Sequence, residues 1–143
     1  MSVRRDRQLV SRVMRSVPSR DTKVEFAVRS ALRHLGYRFK SNVVDLPGKP
    51  DIVFVRNKLI VFVDGDFWHG RQWKLRHFPT LQQQFQSVNN KDYWMRKITS
   101  NIRRDRRVNR ELRRTGWHVV RIWESDWQKN TTRCLNRITR FLS

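Results

Sequence analysis

At 143 residues the chain has length for one domain with a buried core, and its single cysteine, Cys134, excludes an intrachain disulfide or a cysteine-rich zinc cluster. Its 32 Lys and Arg stand against 12 Asp and Glu, a net charge of +20. Such an excess repels itself unless a polyanion neutralises it, with nucleic acid the leading partner and an anionic membrane surface the rival.

No apolar run approaches a membrane span and no apolar signal region opens the chain, which points to the cytoplasm, at the nucleoid in a bacterium. Residues 1–20 hold six arginines and one acid, Asp6. Leu9, Val10, Val13, Met14 and Val17 recur at roughly helical spacing. This is a basic arm or short helix that orders on DNA, or a solvated tail. Residues 21–143 then read as one domain. Asp21 or Thr22 caps a helix with apolar positions Val24, Ala27, Val28, Ala31, Leu32 and Leu35, ended by Gly36. Glu25 completes a capping box from Thr22, or faces an acidic site further on; the spacing allows both. His34 suits the helix end, where a cation complements the dipole.

Tyr37–Val44 alternates weakly as a first strand. Pro47-Gly48-Lys49-Pro50 forces a turn and an extended entry into Asp51. Two β-branched runs, Ile52–Val55 and Leu59–Val63, flank Arg56-Asn57-Lys58 and predict a hairpin covered on both faces. Asp51 enters the hairpin, Asp64 and Asp66 leave it, and antiparallel pairing brings Asp51 near Asp64. Carboxylates are rarely placed where buried strands meet unless a cation or donors hold them. His69 follows closely. Lys49, beside Asp51, is either a phosphate contact or an ordinary surface lysine.

From Phe67 to Lys91 a long loop is predicted, with room for a short helix and with aromatics at Phe67, Trp68, Trp73, Phe78 and Phe85. A helix over Asp92–Arg114 carries the stripe Met95, Ile98, Ile102, Val108 or Asn109, and Leu112. Residues 96–121 hold ten Lys and Arg against two acids, too one-sided for mutual pairing and suited to phosphate. Asp105 lies near the stripe and is expected to pair with an arginine. Gly116 stops the helix, Trp117–Trp123 alternates as a strand closed by Glu124, and a last helix after Thr131 or Thr132 carries Leu135, Ile138, Phe141 and Leu142 on one face, with Cys134 packed as a small apolar residue. The order predicts an α/β domain with a mixed central sheet flanked by helices.

Phosphodiester cleavage needs an activated water, a Lewis acid on the phosphate and help for the leaving oxygen, and Mg²⁺ can supply these with one or two carboxylate ligands. Asp51 is the first candidate ligand, Asp64 the second and Asp66 a further one. The Val63 carbonyl, at the adjacent strand end, could complete the set. His69, largely neutral near pH 7, can accept a proton from water.

These residues match a known pattern. Pro47-Gly48-Lys49-Pro50-Asp51, Val61-Phe62-Val63-Asp64-Gly65 and Phe67-Trp68-His69 resemble the very short patch repair (Vsr) mismatch endonucleases. The likeness runs back through Ser19-Arg20-Asp21-Thr22 and Glu25 to Met14-Arg15. It runs forward through Tyr93-Trp94, Lys97, Asn101, Arg104-Asp105, Gly116-Trp117 and Ile122-Trp123-Glu124. The resemblance implies a restriction-endonuclease-like fold and Mg²⁺-dependent nicking at or near T:G mismatches, with Mn²⁺ as a substitute. It implies metal binding by Asp51 and the Val63 carbonyl, a ligand or supporting role for Asp64, action of His69 on the attacking water, and metal-bound waters held by Glu25. Phe67, Trp68 and Trp94 would wedge into the duplex, with Met14 entering from the opposite groove. Lys49, Lys97 and Arg104 are the implied DNA contacts.

The family usually carries a cysteine where Asp66 stands, and further Cys and His that bind a structural zinc. This chain has one cysteine, at an unrelated place, so no zinc is expected and Trp73 and Phe78 are candidates to hold the long loop. The expected partner is duplex DNA, met by a monomer without an organic cofactor. Two alternatives stand beside this reading: a site-specific or homing endonuclease without mismatch preference, and a non-catalytic DNA-binding module.

Overall fold

The structure, a computed structural model, describes residues 22–142. The basic segment 1–20, with Met14, lies outside them. Helix α1 (Lys23–His34) is followed by β1 (Lys40–Ser41), β2 (Ile52–Phe54) and β3 (Leu59–Asp64). Two short helices, α2 (Gln72–Leu75) and α3 (Leu81–Phe85), precede the long α4 (Lys91–Arg114), then β4 (His118–Trp123), α5 (Glu124–Lys129) and α6 (Thr131–Thr139). The strands form one mixed sheet in the order β1-β2-β3-β4, antiparallel except for the parallel pairing of β3 with β4.

Central strand β3 is buried along its whole length, and its alternation sorts the core. Leu59, Val61 and Val63 face α1 and α6, where Val28, Leu32, Cys134 and Ile138 are buried with Ile122 of β4. Ile60 and Phe62 face Val108 and Leu112 of α4 on the other side. The result is a helix–sheet–helix sandwich, which explains why the hairpin runs lack polar positions. The same alternation carries Asp64 and, on β4, Arg121 to the α4 face. Among the described residues no helix is long and apolar enough to cross a membrane.

Four sequence expectations need correction. The strand over Tyr37–Val44 shrinks to two residues, because Asn42 takes a left-handed φ of 50° and breaks the pleat. Val55, expected in β2, joins the turn and is exposed; Lys58, at φ 52°, donates back to its carbonyl. Glu124, read as closing the last strand, is the first residue of α5, and β4 ends at Trp123. The long loop, read with room for one short helix, holds two. Phe67, Phe85 and Val88 pack on Trp94 and Ile98 of α4 to form a small second core.

Candidate active site

The open ends of β2 and β3 form the floor of the site. Val63 donates its main-chain N–H to Asp51 Oδ2 at 2.7 Å. Carrying the β2–β3 register two residues past the Ile52–Val61 pair sets Pro50 opposite Val63. Proline has no N–H to offer the Val63 carbonyl, so the ladder ends there and oxygen donors collect. A cavity of about 530 Å³ opens over this edge, lined by Glu25, Lys49, Asp51, Val63, Asp64, Trp68, His69, Lys97 and Arg104, together with Gly48, Phe62 and Asn101. Nine of the candidates read from the sequence thus share one cavity.

Glu25 is buried at the start of α1, and its N–H donates to the capping Thr22 Oγ1 at 3.2 Å. Both readings of this residue are therefore compatible: the main chain is capped while the residue lines the cavity. Asp51 has its pKa pushed up to about 6, chiefly by burial, with Asp64 adding to the rise and the Val63 N–H opposing it. Burial likewise raises Asp64, against the pull of His69 and Arg121.

His69 sits between two carboxylates. Its Nδ1 donates to Asp105 Oδ2 at 2.5 Å, and its Nε2 lies 3.6 Å from Asp64 Oδ1. Burial alone would lower the His69 pKa, but the Asp105 hydrogen bond and the charges of Asp64 and Asp105 raise it overall. The chain around it is tied on both sides. Asn101 Nδ2 of α4 donates to the Trp68 carbonyl at 2.9 Å. On the α5 side, Ser125 Oγ donates to Asp66 Oδ1 at 2.9 Å and Arg71 Nη1 to Asp126 Oδ2 at 2.8 Å. Asp66 is thus turned to α5 and does not line the cavity. Gly70, at φ 75°, lets the chain pass against α4; a Cβ there would meet Ile102 Cδ1 at 2.4 Å.

Of the three aromatics expected to enter DNA, Phe67 and Trp94 are 5% and 1% exposed, and only Trp68 is partly open. The second core needs those two rings: Phe67 stands 5.6 Å from Trp94 and 5.1 Å from Trp68. Sequence reasoning missed Arg121, which donates from Nη1 to both Asp64 oxygens at 3.0 and 3.1 Å. The available signal was a charge standing among Val119, Val120 and Ile122 in an apolar strand. Asp105 does approach an arginine, as expected, with Arg121 Nη1 at 3.6 Å, but its shorter contact is to His69.

The donors suit a hard divalent cation. Among the described residues no three His, Cys, Asp or Glu side chains converge as a metal-binding group. A cation would therefore rest on Asp51, main-chain oxygen and water, the mixture Mg²⁺ tolerates. The high Asp51 pKa fits this, since a buried carboxylate beside another gains from a cation.

Comparison with known proteins identifies the family. The family model for "DNA mismatch endonuclease Vsr" matches residues 4–75. The type II nicking enzyme V.NmeDIP of Neisseria meningitidis serogroup C is 41% identical over 125 residues, covering 87% of this chain and 80% of that protein. The type II nicking enzyme V.XorIIP of Xanthomonas oryzae pv. oryzae is 40% identical over 114 residues, covering 80% and 78%. The DNA mismatch endonuclease Vsr of Escherichia coli K12 is 34% identical over 119 residues, covering 83% and 71%. With its mixed sheet between helices and a cavity at the strand ends, the chain belongs to the Vsr family of restriction-endonuclease-like DNA endonucleases.

Proposed function

We propose that this endonuclease nicks duplex DNA at or near T:G mispairs, as a monomer, with Mg²⁺ as cofactor and Mn²⁺ as a substitute. The observation that carries the reading is the shared cavity: Asp51, Asp64, Glu25 and His69 meet Lys49, Lys97 and Arg104 within one cleft. Acids beside cations suit a phosphodiester, whose flanking phosphates need charge and whose scissile phosphate needs a cation cradle.

Asp51 and the Val63 carbonyl would hold the metal ion, which when bound supplies Lewis-acid stabilisation of phosphate and a more acidic water. Glu25 would orient water. Asp105 fixes the Nδ1–H tautomer of His69, so the imidazole turns Nε2 toward Asp64 and the cavity. A neutral Nε2 takes a proton from the attacking water. Asp64, gripped by Arg121, serves better as a support for His69 than as a ligand. Trp68 would press into the stack with Phe67 and Trp94 braced behind it, and a mispair yields to such pressure at lower cost than a matched pair.

A second reading, nicking at a fixed sequence without mismatch preference, draws support from the type II nicking enzymes among the relatives. Duplexes identical but for the central pair separate the two. Faster nicking of T:G than of T:A and C:G supports mismatch recognition, and equal rates remove it.

A further inference from the structure

We propose that Arg121 is a positioning residue for His69, setting the separation of the two carboxylates that flank the imidazole. The proposal rests on the reading of His69 as the proton acceptor. Arg121 Nη1 donates to both oxygens of Asp64 and lies 3.6 Å from Asp105 Oδ1. Asp64 is the carboxylate near His69 Nε2, and Asp105 the one bonded to Nδ1. One guanidinium therefore ties the strand-borne acid to the helix-borne acid, with the imidazole between them.

The guanidinium is itself fixed. Its Nε donates to Asn109 Oδ1 on α4 at 2.8 Å, and its carbon sits 4.1 Å from the centre of the Phe62 ring. The strand register explains the placement, because Phe62 and Arg121 are direct partners across the β3–β4 ladder. A planar fork can serve Asp64 and Asn109 from different nitrogens at once. A lysine ammonium is a single point and cannot span them. Without the fork, two like charges would move apart and release the ring they hold.

Single-turnover nicking of one duplex by wild type, Arg121→Lys, Asn109→Leu, their double variant and His69→Ala, each checked for its melting temperature, tests the idea. Arg121→Lys should lose at least tenfold in the cleavage rate with DNA affinity within twofold. Asn109→Leu should lose less, and the double variant should lose no more than Arg121→Lys alone, since both act through one contact. A folded Arg121→Lys that cuts at the wild-type rate, while His69→Ala is inactive, overturns the proposal and leaves the His69 reading standing. Loss confined to DNA affinity also overturns it, because Arg121 would then be a phosphate contact. Full activity of His69→Ala overturns both. If Arg121→Lys does not fold, Asn109→Leu decides: an unchanged cleavage rate overturns the proposal, and a loss of cleavage rate at unchanged affinity supports it.

Discussion

His69 and Asp105 lie 36 residues apart in sequence, yet a 2.5 Å hydrogen bond joins them and couples the loop after β3 to the middle of α4. Asp105→Asn removes the carboxylate that raises the His69 pKa. The ascending limb of the pH–rate profile, which reports loss of the His69 proton, should shift to lower pH. The maximal rate should fall by roughly 10- to 100-fold, as the ring loses its fixed tautomer. A profile unmoved by Asp105→Asn would detach His69 from the rate.

Asp51 should trade stability for function. Its carboxyl titrates at about 6 in the fold against 3.8 for the ordinary group. The folded state therefore binds the extra proton between those values, and metal-free stability drops as pH rises through that window. Asp51→Asn should stabilise the metal-free protein at pH 7.5 by about 2 kcal/mol, and much less near pH 4. Denaturant unfolding in EDTA at both pH values checks the sign; a destabilised Asp51→Asn at pH 7.5 would show that the carboxylate supports the fold.

Gly70→Ala should destabilise by about 2 kcal/mol or more, since φ is 75° and the new methyl would lie 2.4 Å from Ile102 Cδ1. Because the glycine follows His69 directly, cutting should fall as well. A melting temperature equal to wild type would mean that Ile102 yields freely.

Much of this site was legible in the sequence because hairpins obey short-range rules. Two β-branched runs and a polar turn are enough to bring Asp51 and Asp64 together, and β2 pairs with β3 as that pattern requires. The Arg121 clamp was not legible, since it depends on a parallel pairing between strands more than 50 residues apart. The burial of Phe67 and Trp94 was hidden too: aromatics in a loop suit a core and a stacked base equally well, and only the packing of α3 and α4 around them decides.

DNA binding should weaken steeply with salt, as expected of cations that displace condensed counterions. Lys97→Ala and Arg104→Ala, from exposed positions on the cavity rim, should each lower the slope of log K against log salt by about one. Slopes equal to wild type would take these residues off the DNA path. Trp68→Ala should cut the preference for T:G over matched duplex several-fold; an unchanged ratio would deny the ring its wedging role.

The most direct test is single-turnover nicking of a T:G duplex over a Mg²⁺ titration, with wild type and Asp51→Asn compared at equal DNA occupancy. The wild-type rate should rise from zero to a plateau with the ion, while Asp51→Asn stays uncut at every concentration. Cutting by Asp51→Asn at the wild-type rate, or full wild-type cutting in EDTA, would contradict a cation cradle at the end of the hairpin.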